Sequence, residues 1–309
     1  MAGIKVKQLF IFLCADLKKL ITFDVSPVDK GFSNIDFSAN KKSELNEYFI
    51  KYTTDAGNYE LKDVIELMEY VLIFCHELAH CLNNHSVYRP EENTEYSAME
   101  AHADFLAGLM ATALYTYGYN LRRIIGTVYK YDKNNQRIKS VYYKLMSKAI
   151  SKLYFDFYKG NENPRYPHPT ERVGLNIAGI SSFFKRSPQF QTLPGDYIMS
   201  NWILTKDLDS EIHTDMREAS ILGKANSEFI KHVLDVHLKI QGDSPQINDI
   251  QSPQMHHIFG TQYIKDEQIR RLNKEHMKNE ILNFAKEKGL SHLINEEAFE
   301  QFELRKNND

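Results

Sequence analysis

The chain has 309 residues, 42% hydrophobic and 26% charged, with a formal net charge of −3. That length allows a sizeable core in one large or two smaller domains, and the near-balanced charge excludes a whole-molecule drive toward nucleic acid or an anionic membrane. Three cysteines (Cys14, Cys75, Cys81) make no disulfide framework, and no stretch reaches the roughly eighteen apolar residues of a membrane span, so a soluble cytoplasmic protein is expected.

The N-terminal stretch IKVKQLFIFLCADLKK has a basic start and a short apolar run. Gln8 to Ala15 is too short for a secretory leader and lacks a small-residue cleavage pattern, so a buried first element is expected instead. Residues 1 to 58 otherwise read as short strands and loops, because ITFDV and SNIDFSAN mix β-branched and aromatic residues with Asp, Asn, Ser and Pro breaks. From Leu61 to about Asn84, apolar side chains recur at 61, 64/65, 68, 71/72, 75, 78/79 and 82, the pattern of a helix buried on most of its surface. A loop, SVYRPEENT, leads to cap-forming Asn93 and Thr94. A second helix then runs from about Glu95 to Tyr117, with Gly118 in the C′ place.

A third helix over 140–158 puts Tyr142, Leu145, Met146, Ala149, Leu153 and Phe157 on one face and Lys144, Lys148 and Lys152 on the other. NENPRYPHPTERVG then reads as a proline-rich turn entering a short helix, 181–199 as irregular chain, and 205–309 as amphipathic helices interrupted by the linker QGDSPQINDIQSPQ. The fold class expected is α+β, mainly α: a core over 1–185 with a small β element at its front, and a helical C-terminal region over 186–309.

Chemistry concentrates in FCHELAHCLNNH, residues 74–85. His76, Glu77 and His80 spell H-E-x-x-H. On a helix the two imidazoles project one turn apart from one face and can reach a single Zn²⁺, while Glu77 leans toward the water such a metal activates. In MEAHADFLAG, Glu100 and Asp104 are again four apart on the second helix. One carboxylate can complete a His₂Glu site, and the other can accept the N–H of a liganding imidazole. The commoner arrangement puts Glu100 on the metal and Asp104 behind it; ligation through Asp104 is the alternative. His102 points about 200° around the helix from Glu100 and is left out. His85 fails the metzincin spacing, because Ser86 holds the final position, and is expected at the helix end facing water or the terminal carbonyls.

H-E-L-A-H followed by E-x-x-A-D on the next helix resembles the gluzincin metallopeptidases, including the soluble Lit-type phage-exclusion peptidases. YPHPTERVGL at 166–175 is similar to the H-P-x-T-x-x-R segment of HtpX-like peptidases. The resemblance covers about 60–180. It implies a zincin-like helix pair and a zinc-dependent endopeptidase acting on a protein substrate, with metal ligands His76, His80 and Glu100, and Glu77 as general base. His168, or failing that Tyr166, is a candidate donor to the developing oxyanion.

Two further signals carry other functions. From Arg122 to Lys159 there are ten Lys or Arg against two Asp, interleaved with tyrosines, a region that can face an acidic protein partner. SPQMHHIFGTQYI, residues 252–264, resembles the opening of HNH nucleases through His256 and His257. Gly260 replaces the usual proline, however, and 261–309 carries nine basic against ten acidic residues, a poor balance for DNA. A regulatory or binding protein on the same zincin scaffold is the other alternative. His232 and His237, five apart and off one face, are expected to be structural.

Overall fold

The computed structural model describes residues 3–18, 24–31, 37–42, 47–83, 85, 88–131, 139–160, 163–186, 194–221 and 227–241, with isolated helical positions at 279, 283 and 286. It is mainly helical with one small sheet, as the α+β expectation has it. No helix among the described residues is long and apolar enough to cross a membrane. The HNH-like stretch with His256 and His257, and all but the first residue of the QGDSPQINDIQSPQ linker, lie outside the described residues.

The first element corrects the expectation of strands and loops throughout 1–58. Helix α1, Val6–Leu17, buries Val6, Leu9, Phe10, Leu13, Cys14 and Leu17, a three-and-four spacing hidden inside a run that looks uniformly apolar. Strands β1 (Asp24–Asp29), β2 (Phe37–Lys42) and β3 (Glu47–Tyr52) follow, in sheet order β1-β3-β2. The β1–β3 pair is parallel and the β2–β3 pair antiparallel, with Phe37 opposite Tyr52 and Ala39 opposite Ile50. Central β3 alternates half-buried and buried residues, and Pro27 sits on edge strand β1, where a missing N–H is tolerated. A short helix α2, Thr54–Asn58, closes this front layer.

Helix α3, Val64–Leu82, begins where the Asp63 side chain accepts from the N–H groups of Ile65 and Glu66. Helix α4, Asn93–Tyr117, begins at the expected cap rather than after it: Glu92 takes the capping place without a side-chain bond, and Asn93 is already helical. Gly118 ends α4 as expected, but with φ −68°, so left-handed geometry is not its purpose. A Cβ there would stand 2.5 Å from the Leu114 carbonyl oxygen and 2.8 Å from Asp16 Oδ2. Asp16 needs that approach, because its carboxylate accepts from Asn120 and Leu121 backbone N–H groups and so caps α5 (Tyr119–Thr127) from α1.

Helix α6, Lys139–Leu153, runs into a π-turn over Tyr154–Tyr158. Phe157, expected on the buried stripe, is only partly buried because the wider turn shifts the register. Helix α7, Pro169–Arg186, is a long element rather than the short one expected. Together with α8, Pro194–Lys206, it replaces much of the irregular chain anticipated over 181–199. Helices α4 and α7 meet backbone to backbone: a Cβ on Gly108 would lie 2.1 Å from the Asn176 carbonyl oxygen, and one on Gly179 1.9 Å from that of Phe105. Helix α9, Ser210–Ile221, packs on α7, and α10, Ser227–Gln241, packs on α4. The described helices after residue 186 therefore dock on the core.

Glu69 is a fully buried carboxylate on α3, with Lys152 Nζ 3.9 Å away, beyond hydrogen-bond distance. Burial pushes its pKa up to about 8, against the partial help of Lys152. The folded state therefore holds a proton that the unfolded chain releases near pH 4.5, and stability falls as pH rises from there to about 8. Glu69→Gln should flatten that dependence and stabilise the protein at pH 7 by up to about 3 kcal/mol. Urea unfolding at pH 5 and pH 8 checks it, and equal pH slopes in the two proteins would contradict it.

Candidate metal centre

The inner faces of α3 and α4 meet at a cavity of about 440 Å³ whose wall includes His76, Glu77, His80 and Glu100. On α3 the neighbours Phe74, Cys75, Leu78 and Ala79 are fully buried, so core packing fixes the helix rotation that aims the H-E-x-x-H face at the cavity. The Nε2 atoms of His76 and His80 lie 3.1 Å apart. Glu100 Oε2 is 3.1 Å from His76 Nε2, and Glu100 Oε1 is 3.5 Å from His80 Nε2. An ion with bonds of about 2.0–2.1 Å in a tetrahedral arrangement separates its ligands by roughly 3.3 Å, so the three side chains fit a single cation. The α3 pair and the α4 carboxylate converge as the sequence spacing predicts, and the trio can hold a metal ion.

Asp104 stands behind this trio and makes no approach of its own to His80. Its Oδ1 lies 2.9 Å from His76 Nδ1 and also accepts from the Tyr158 hydroxyl at 3.0 Å. Arg172 closes the other side, with Nε at 2.6 Å from Oδ2 and a second contact of 3.1 Å to Oδ1. The guanidinium lies 3.9 Å over the Tyr158 ring, and Asn176 donates to the Tyr158 oxygen. Burial would raise the Asp104 pKa, but Arg172 and His76 hold it below the usual carboxylate range. Burial likewise opposes ionisation of Glu100, and His80 and His76 overcome it. Desolvation disfavours a charged His76, yet Asp104 and Glu100 together lift its pKa to about 10. Two carboxylates thus supply the negative potential that a divalent cation requires.

No family model, curated protein or solved structure matches the chain. The site therefore rests on its own geometry.

The remaining residues divide. His168 does not line the cavity: it forms the entry to α7, its carbonyl accepting from Glu171 and Arg172 N–H groups and its Nδ1 lying 2.8 Å from Thr170 Oγ1. Tyr166 does line the cavity, with the Arg172 guanidinium 5.0 Å from its ring centre. In the basic 122–159 region, Lys152 pairs with Asp156, and Lys159 with Glu211 and Asp215, so part of the local charge is compensated within the chain.

His85 corrects the expectation of a solvated helix end. It is 3% exposed, and its Nδ1 lies 2.8 Å from His80 Nδ1. Its Nε2 lies 3.0 Å from Nε2 of His237, a residue brought in from α10. His237 Nδ1 faces the Val233 carbonyl, which can only accept, so the protons can be assigned from that end. His237 donates through Nδ1, His85 donates through Nε2, and His80 donates through Nδ1, leaving the His80 Nε2 lone pair toward the site. No sequence spacing ties residue 237 to residue 80. The only signal was three histidines within ten residues, of which the metal motif uses two.

Asp104→Asn should lower metal affinity about 10- to 100-fold, because the carboxylate orients His76. It should also destabilise the metal-free protein by about 3–5 kcal/mol by leaving Arg172 buried without its charge partner. Chelator competition and urea unfolding measure the two effects, and unchanged affinity would remove Asp104 from this role.

Proposed function

We propose that the protein is a zinc-dependent endopeptidase of gluzincin type that cleaves a protein substrate. The observation that carries this is the convergence of His76 Nε2, His80 Nε2 and the Glu100 carboxylate within 3.1–3.5 Å of one another on the wall of a cavity that also holds Glu77. Two imidazoles and one carboxylate form the donor set of a catalytic zinc site, whereas magnesium or calcium would favour oxygen ligands. Zn²⁺ bound there supplies a Lewis acid for the scissile carbonyl and makes water acidic near neutral pH.

The chain's own residues account for the rest. Glu77 takes the proton of the attacking water and returns it to the leaving amine. Tyr166, one of three tyrosines on the cavity wall, takes the place considered for His168 as donor to the oxygen that gains charge. Ser38 and Ala39 of β2 line the same cavity, and β2 is an edge of the sheet, so an extended peptide can add to it through main-chain hydrogen bonds while its scissile bond lies near Glu77. None of the three cysteines forms a disulfide, in keeping with a cytoplasmic location.

Glu77→Gln should retain stoichiometric zinc while lowering cleavage by at least about 100-fold. Comparing protein termini in cells expressing the wild type and this variant tests it. New termini dependent on Glu77 are expected, and identical termini in both would contradict the assignment.

A further inference from the structure

Three of the histidines that the peptidase motif does not use converge on one point. His85 follows α3, His102 lies on α4 and His237 on α10, and one ring nitrogen from each comes within 4.8 Å of the others. Their exposures are 3%, 2% and 0%. We propose that His85, His102 and His237 form a second metal site, an all-imidazole site for a first-row transition ion of the zinc kind, which fastens α10 to the α3–α4 pair.

Three features support an ion here. The Nε2 atoms of His85 and His237 are 3.0 Å apart, close to the 3.1 Å between His76 and His80 and near the roughly 3.3 Å spacing of ligands on a tetrahedral centre. His237 is oriented for coordination by its other nitrogen, whose N–H is held by the Val233 carbonyl at 2.8 Å, as is usual behind a ligating histidine. The His102 ring stands 3.9 Å from that of His237 and 6.1 Å from that of His85. A proton between His85 and His237 serves two nitrogens, whereas an ion serves all three converging rings. Binding would release that proton to solvent, put the ion between the same two atoms, and leave one proton shared between the facing Nδ1 atoms of His80 and His85, so this pair of rings carries a single negative charge that the bound cations compensate. With no carboxylate in the set, magnesium and calcium are excluded and imidazole-preferring ions remain.

The placement gives the site a purpose. Around it, α10 is held by a small apolar contact, Val233 and Val236 against Ala98, Met99 and Ala101, and by Lys239 on Glu95 at 2.7 Å. An ion would add one bond to α10 through His237 and two to the helix pair through His85 and His102. It would also adjoin the first centre, because His85 touches His80 through their Nδ1 atoms.

The test is zinc stoichiometry of the full-length protein, stripped with chelator, reloaded with Zn²⁺ and measured by elemental analysis. Two ions per chain are expected in the wild type. One is expected in His237→Leu and one in the double variant His76→Gln, Glu100→Gln, with X-ray absorption of the latter showing the outer-shell scattering of three imidazoles. In that double variant, zinc should also slow proteolysis within α10 at least about tenfold, reflecting fewer local openings. A single ion in the wild type, lost in the double variant, would overturn the second site while leaving the first intact. A single ion that survives in the double variant would support the second site and contradict the first. No ion in any protein would overturn both, and the double variant decides the matter even if His237→Leu fails to fold.

Discussion

The buried Asp104–Arg172 pair is the interaction on which the site depends. Two charges removed from water stabilise each other best when their remaining hydrogen-bonding capacity is met, and on the carboxylate it is met by His76 and Tyr158. The pair ties three elements together: α4 supplies the carboxylate, α7 the guanidinium and the π-turn the phenol. Small residues make this possible, because Gly108 and Gly179 let the α4 and α7 backbones approach closely enough for Arg172 to reach Asp104. A close helix–helix approach at two glycines thus becomes an electrostatic constraint on a ring nitrogen of His76.

The same principle works from the opposite side of the centre with neutral groups. His80 is oriented through His85 and His237 to a main-chain carbonyl, so one of the H-E-x-x-H imidazoles is held by a charged partner and the other by a chain of imidazoles. Burial pushes the pKa of His85 well down and that of His237 to about 4, which keeps both rings neutral at physiological pH. Helix α10 is therefore part of the site's support although its residues carry no motif.

How much of this was legible from residues depends on the range of each interaction. The α3–α4 pair and the trio of His76, His80 and Glu100 were visible, because helical periodicity and i, i+4 spacing are local and map directly onto a face. Helix α1 was missed because a nearly continuous apolar run conceals its period. Gly118 was placed at the right helix end for a reason the backbone does not support, since its role is close approach to Asp16. The His85–His237 contact joins residues 152 apart and leaves no periodic trace. His168 looked chemical beside two prolines, whereas its local hydrogen bonds make it the entry to α7.

The central claim is that α3 and α4 together hold one ion between His76, His80 and Glu100. An anomalous difference map from crystals of the zinc-loaded protein, recorded at the zinc absorption edge, addresses it most directly. A peak about 2.0–2.2 Å from His76 Nε2, His80 Nε2 and a Glu100 oxygen is predicted. Density absent from that position, or a peak that leaves Glu100 out of reach, would contradict the account.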